Sequence, residues 1–439
     1  MKVRLLSVAF LLFAFSKTAS SQDYHPCGFE YFLQNQHQHN HDIHGEMDSW
    51  IAESRRNEGA FRDDIYTIQV VFHIVYNQEV HNIPDEVIFD QMTVLNQDYR
   101  RLNPDSNLTR TEFLPVAADP KIQFELASLD PEGNPTNGID RVFTNQFGFE
   151  LDIFSMENTL DAVKASATGG ADPWDPTKYL NIWVCNVLDT GFGQIFGISY
   201  PPQGTPNWPV GTPEPSLEVS GVILHYTSVG PNNPQAQTDG YPMNDYGRTL
   251  THEIGHYLGL RHTWGDAFFN GCSVDDGFAD TPNCATSANF VCNFNVNSCV
   301  DPNLDLPDMV ENYMDYSGDQ CQNIFTQEQV DLMRWVLTNL RPTLIEGQFV
   351  SVSEQVYNPS AKVFPNPASE QVTISFDENY YGKELQLIDA CGRIVHRQLI
   401  DGLQQEISLH QHPAGVYFVA IGNQQGSQNL SRLIVVPVQ

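Results

Sequence analysis

Between residues 66 and 76 the chain reads Tyr-Thr-Ile-Gln-Val-Val-Phe-His-Ile-Val-Tyr, a β-branched and aromatic run that predicts a strand. Pro84-Asp85-Glu86 then opens an amphipathic helix expected to reach about Arg101. Further strands are predicted at Ile122 to Ala127, Leu180 to Val187 and Val222 to Tyr226, with Gly- and Pro-rich loops such as Pro201 to Pro215 between them. Thr326-Gln327-Glu328-Gln329 has the form of a capping box, and Val330, Met333, Trp335 and Val336 continue it as a helix ending before Pro342. From about Ala361 the pattern shifts to short alternating strands, Gln371 to Phe376, Glu384 to Asp389, Ile394 to Leu399 and Val416 to Ile421, which predict a small β-sandwich.

The N-terminus places Lys2 and Arg4 before the apolar run Leu5 to Phe15 and small residues near Ala19-Ser20-Ser21, the layout of a secretory signal over residues 1–21. That run is about half the roughly 20 apolar residues a membrane span needs, so no transmembrane anchor is expected. Residues 22–62 are polar and irregular, with His37, His39, His41 and His44 and the dibasic pair Arg55-Arg56, and read as a propeptide. A net charge of -32, from 54 acidic and 22 basic side chains, disfavours nucleic acid and anionic membranes and suits calcium and basic substrates. The same charge also keeps an exported protein soluble. Of the eight cysteines, Cys272, Cys284, Cys292, Cys299 and Cys321 crowd into one segment, as expected for disulfides in an oxidising compartment. Five is odd, so one of them stays a thiol or pairs with Cys27, Cys185 or Cys391.

The chemistry concentrates in His252-Glu253-Ile254-Gly255-His256-Tyr257-Leu258-Gly259-Leu260-Arg261-His262. Histidines four apart share a helix face and can grip one ion. Gly259 can take the positive φ that ends the helix and turns the chain back, bringing His262 in as third ligand. Three protein ligands leave a coordination position open, the mark of catalytic zinc, and Glu253 is placed to take a proton from the water held there. Asp275, Asp276, Asp280 and Thr281 offer hard oxygen ligands for calcium, or form an Asx-rich turn without an ion.

The extended motif, with Asn312-Tyr313-Met314-Asp315-Tyr316 as a Met-turn, resembles the metzincin clan. Within the clan the sequence over roughly residues 65 to 340 is similar to the pappalysin family, including ulilysin-like bacterial enzymes. The shared features are the motif itself, Cys272, Asp280-Thr281-Pro282, the Met-turn with Ser317, Cys321 and Phe325-Thr326. The resemblance implies an α+β metzincin-like catalytic domain over residues 63–345, with a mixed, twisted sheet, active-site helix and Met-turn. It further implies Met314 as a floor beneath the metal and Tyr316 as a donor to the oxyanion. Disulfides Cys272–Cys299 and Cys292–Cys321 are implied as well, a pattern that leaves Cys284 unassigned, and so is calcium at Asp276, Asp280 and Thr281. Cys27-Gly28 resembles the propeptide cysteine that caps the zinc in relatives, released here by a cut near Arg55-Arg56. A disulfide from Cys27 to Cys185 or Cys391 is the alternative. Relatives favour a basic residue after the scissile bond, and Asp319 beside the Met-turn would attract one.

Val363-Phe364-Pro365-Asn366-Pro367-Ala368-Ser369 and Pro413-Ala414-Gly415-Val416-Tyr417-Phe418-Val419 together resemble a type IX secretion sorting domain over residues 361–439, after a linker at 346–360. Its partner would be the outer-membrane secretion machinery of a Gram-negative bacterium, and the product would be secreted or held at the cell surface. The expectation is a zinc metalloendopeptidase acting on proteins or peptides and made as a zymogen. The alternative is a surface binding or adhesion protein with a structural or inactive zinc site.

Overall fold

The computed structural model describes residues 24–28, 64–151, 159–188, 194–205, 208, 214–236, 246–266, 271–301, 305–345, 361–366, 368–376, 381–389, 394–410, 412–413, 415–423 and 426–435. The signal segment, the histidine run, Arg55-Arg56 and Cys391 lie outside these residues. The chain divides into two compact units, Met1–Gln348 and Phe349–Gln439.

In the first unit a mixed sheet is built from β1 (Tyr24–Cys27), β2 (Tyr66–Tyr76), β4 (Ile122–Leu126), β5 (Ile139–Phe143), β6 (Leu180–Cys185), β7 (Gln194–Ser199) and β8 (Val222–His225). The short β3 (Ala117–Ala118) stands apart and pairs with β9 (Phe325–Thr326). The order across the sheet is β1-β7-β8-β6-β2-β4, with β5 pairing β2 beyond the end of β4. β7 runs antiparallel to β8, while the other neighbouring strands of this sheet are parallel.

Both faces of the sheet are covered, which explains why its central strands read as almost unbroken apolar runs. Side chains alternate along a strand, so Leu180, Ile182 and Val184 enter one core and Trp183 and Cys185 the other. The first core is closed by helix α1 (Asp85–Asp98) through Val87, Ile88 and Leu95, and by α2 (Arg248–Tyr257) through Leu250 and Ile254. α3 (Gln327–Trp335) adds Val330, Leu332 and Met333. Its capping box is complete: Gln329 N donates to Thr326 Oγ1, and Thr326 N donates to Gln329 Oε1.

Disulfides join Cys272 to Cys299 and Cys292 to Cys321, tying down the long loop after α2 where regular structure is sparse. Arg110 ties the same loop to the chain before β3. It holds Glu311 through Nε at 2.7 Å and Nη2 at 2.6 Å and donates to the carbonyls of Phe294 and Asp308.

The second unit packs two antiparallel sheets. β10 (Ala361–Phe364), β11 (Gln371–Phe376) and β14 (Gln404–Ser408) form one. β13 (Ile394–Leu399), β12 (Glu384–Asp389), β15 (Gly415–Asn423) and β16 (Gly426–Val435) form the other. Val372, Ile374 and Ile407 meet Leu385, Leu387, Val419 and Leu433 in a common core, the arrangement of a sandwich.

Candidate metal centre

Helix α2 carries His252 and His256 one turn apart, both buried. It stops because Gly259 adopts φ +92, a conformation that side chains beyond Gly rarely take. Gly259 N donates to His256 O and Leu260 N to Gly255 O, the paired bonds of a Schellman ending. The chain then doubles back and delivers His262 to the first two histidines.

The three Nε2 atoms stand 3.1 Å from one another. Each Nδ1 is committed elsewhere: His252 to Tyr313 O at 2.7 Å, His256 to Leu260 O at 2.8 Å, and His262 to Asp266 Oδ1. An imidazole that donates through Nδ1 presents a bare lone pair at Nε2. Burial holds His252 and His256 well below the usual imidazole range, with His262 adding to the effect, so both are neutral. Three lone pairs pointed at one spot repel unless a cation sits among them. Zinc–nitrogen bonds of about 2.0–2.1 Å at tetrahedral angles put ligand nitrogens roughly 3.3 Å apart, close to this spacing. The donor set therefore fits zinc.

Cys27, at the end of β1, is fully buried, and its Sγ joins the same group, with all four ligand atoms within 4.8 Å. Among the described residues no other group of three or more His, Cys, Asp or Glu has this geometry. Among the described residues Cys27, Cys185 and Cys284 form no disulfide. β1 reaches this point by pairing in parallel with β7, and Gly28 N donates to Gly197 O at 2.8 Å.

Glu253 is buried, and its Oε2 accepts from Cys27 Sγ at 3.7 Å while Oε1 has no hydrogen-bond partner among the described residues. Burial raises its carboxyl well above the ordinary range. The Tyr316 ring packs against His262 (centroids 4.7 Å apart) and His252 (5.5 Å), and its hydroxyl donates to Cys27 O at 3.4 Å. Beneath the histidines lies Met314, so close that a Cβ at position 255 would fall 2.3 Å from its Sδ. Gly255 is therefore the residue that lets the turn approach the helix. A cleft lined by Arg248, Thr249, Phe290, Ser317, Asp319 and Gln322 opens beside His252, Glu253 and Tyr316.

Asp276, Asp280 and Thr281 lie in the loop after α2. Thr281 Oγ1 donates to Asp276 Oδ1 at 2.8 Å, and Glu328 N donates to Asp280 Oδ2 at 2.9 Å. The other oxygens, Asp276 Oδ2 and Asp280 Oδ1, are buried without a hydrogen-bond partner among the described residues. Sequence reasoning gave no part to Asp266 or Trp264, both of which touch His262. An acid four residues after the third histidine is the signal that was there to be read.

This helix, histidine cluster and methionine turn, set under a mixed sheet, define a metzincin-type metallopeptidase. Residues 232–338 match the family described as pregnancy-associated plasma protein-A, and residues 362–436 match the secretion system C-terminal sorting domain. Mature mirolysin of Tannerella forsythia, solved in complex with a cleaved peptide, is 37% identical with TM-score 0.55, covering 65% of this chain and 97% of its own. A promirolysin mutant from the same organism is 33% identical with TM-score 0.57, covering 73% and 97%. An extracellular metalloprotease of Arthroderma gypseum is 26% identical over 269 residues, 61% of this chain and 71% of its own. The chain belongs to the pappalysin family of metallopeptidases. It is a secreted zinc metalloendopeptidase, made as a zymogen and carrying a C-terminal sorting domain. Among the described residues no helix is long and apolar enough to cross a membrane.

Proposed function

We propose that His252, His256 and His262 hold the zinc of this peptidase, with Glu253 and Tyr316 performing the proton and charge work of peptide hydrolysis. The observation that carries the reading is the convergence of three Nε2 atoms at 3.1 Å with every Nδ1 already engaged. Held by these three histidines, zinc would supply a Lewis acid, able to make a bound water acidic near neutral pH and to polarise the scissile carbonyl. Glu253 takes the proton of the attacking water at Oε1, the oxygen with no hydrogen-bond partner among the described residues, and passes it to the departing amine. The Tyr316 hydroxyl donates to the carbonyl oxygen of the substrate as negative charge gathers on it, a contribution of roughly 3 kcal/mol for one such donor. Met314 forms the apolar floor. The experiment is a metal titration: the activated enzyme stripped by chelator loses hydrolysis and recovers it at one zinc per chain. Activity that survives complete removal of metal contradicts the reading.

Cys27 acts as the latency ligand in this reading, which its place among the three histidines and its contacts with Glu253 and Tyr316 support. One residue then blocks the metal, the base and the oxyanion donor together. We assign the signal to residues 1–21, the propeptide to 22–62, the peptidase to 63–345, the linker to 346–360 and the sorting domain, which engages the outer-membrane secretion machinery, to 361–439. In a zymogen made uncleavable at Arg55-Arg56, Cys27→Ala should raise hydrolysis of a small peptide by an order of magnitude or more. A variant as silent as its parent in a continuous fluorescence assay would remove Cys27 from latency.

Calcium at Asp276, Asp280 and Thr281 is the second metal we infer. Two buried carboxylate oxygens without hydrogen-bond partners among the described residues support it. Burial pushes the Asp280 carboxyl up to about 6 in the ion-free protein. Burial also holds the Asp276 carboxyl well above the ordinary carboxylate range, and calcium requires both groups ionised, so its affinity should fall as pH drops toward and through about 6. Calorimetric titration between pH 5 and 8 reads this; no binding at any pH leaves an Asx turn in its place. Asp319 lines the cleft with a buried carboxylate that accepts from Tyr246 N and Arg248 N, and we assign it the attraction of a basic residue after the scissile bond. A peptide library cleaved with aliphatic preference there would remove that role.

A further inference from the structure

We propose that Asp266 is the positioning residue of the third metal ligand, fixing the His262 imidazole in the tautomer whose Nε2 faces His252 and His256. The proposal rests on the reading of His262 as a zinc ligand. His252 and His256 are held by a helix and donate through Nδ1 to backbone carbonyls. His262 lies beyond the helix end, and the acceptor for its Nδ1 proton is a side chain, Asp266 Oδ1. Both side chains are out of solvent, at 0% and 1% exposure.

The local chain is arranged around this contact. Gly265 N donates to His262 O at 2.9 Å, closing a turn, and Asp266 then adopts φ 61. Asp is one of the few side chains that enter the left-handed region routinely. The result aims the carboxylate back at the imidazole it follows. Its second oxygen accepts from Arg261 Nε at 3.0 Å, and Arg261 also donates to Gly265 O and lies over the Trp208 ring at 5.7 Å. Trp264 stacks flat on His262, centroids 4.3 Å apart and planes 4° from parallel. Rotation of the ring is blocked by the indole, and its proton is held by the acid. A carboxylate in this place also makes the imidazole a stronger donor to a cation, which a neutral carbonyl does less well. Arg261 balances the charge and keeps the acid turned toward Nδ1.

The experiment measures zinc dissociation constants by chelator competition on the full activated chain, for wild type, Asp266→Ala, Asp266→Asn and His262→Ala. The expected result is a loss of about 10–100-fold in zinc affinity for Asp266→Ala, the usual cost of removing such a partner. Asp266→Asn, which keeps an acceptor oxygen, should recover part of it, and cobalt-substituted Asp266→Ala should show altered visible bands. If His262→Ala binds weakly while both Asp266 variants bind like wild type, the positioning role is overturned and Asp266 is a turn residue. If His262→Ala itself binds like wild type, the ligand reading fails instead. Should Asp266→Ala not fold, nitrogen-15 NMR of the metal-free wild type decides. A His262 proton on Nδ1 agrees with the proposal, and one on Nε2 overturns it.

Discussion

Glu253→Ala is expected to keep its zinc and lose about 10²–10⁴-fold in kcat/KM, the range that a positioned general acid–base group contributes. The carboxylate sits one position after His252 on α2, on a helix face that none of the ligands needs. Its removal therefore leaves the three Nε2 atoms where they are. The stability outcome separates a catalytic from a structural role. Glu253 is buried with Oε1 lacking a hydrogen-bond partner among the described residues, and burial opposes its ionisation. A group in that condition costs stability. The variant should melt at the same temperature as wild type or higher while hydrolysing almost nothing. Glu253→Gln, similar in shape and unable to move a proton, should be equally inactive. A stable variant with normal kcat/KM would mean that another group takes the proton.

Arg248→Ala is expected to destabilise the peptidase unit by about 3–5 kcal/mol, the cost of stranding a buried charge. The guanidinium is 4% exposed and reaches Asp98, whose side chain is 1% exposed, at 3.4 Å. It also binds Asp105 through two contacts of 2.7 and 2.8 Å and donates to Asp319 O and Gln322 O. Asp98 in turn accepts from Tyr313 OH and Thr251 Oγ1, so one ion pair links α1, α2 and the Met-turn. Burial raises the Asp98 carboxyl, and Arg248 works against the rise. Without the arginine the rise grows, the folded state binds more protons than the unfolded, and stability falls further as pH increases. Urea unfolding at several pH values reads both effects. Asp98→Asn added to Arg248→Ala should restore part of the loss, because the two positions share one interaction.

The convergence of the three histidines was legible because it is local. Four-residue spacing on a helix and a glycine at the turn suffice to bring His252, His256 and His262 together, and Met314 follows from a motif nearby. The strands with long apolar runs, β2, β6 and β8, were legible for the same reason. β7 was not, because Gly197 interrupts six residues that already border a Gly-rich segment. β5 reads Ile-Asp-Arg-Val-Phe and lacks a clean alternation. β1 is four residues long and owes its form to parallel pairing with a strand far along the chain, for which no local signal exists. Cys27 could be suspected from Cys-Gly alone, but its approach to Glu253 and Tyr316 depends on that pairing. Asp266 shows how a residue outside every motif enters the site through one left-handed turn.

The most direct test is X-ray absorption at the zinc edge for the zymogen and the activated enzyme. Three imidazole nitrogens at about 2.0–2.1 Å are expected in both forms, joined by one sulfur at about 2.3 Å in the zymogen and by oxygen in its place after activation. Zinc held by two or more sulfurs, or by fewer than three imidazoles in the active form, would contradict that coordination.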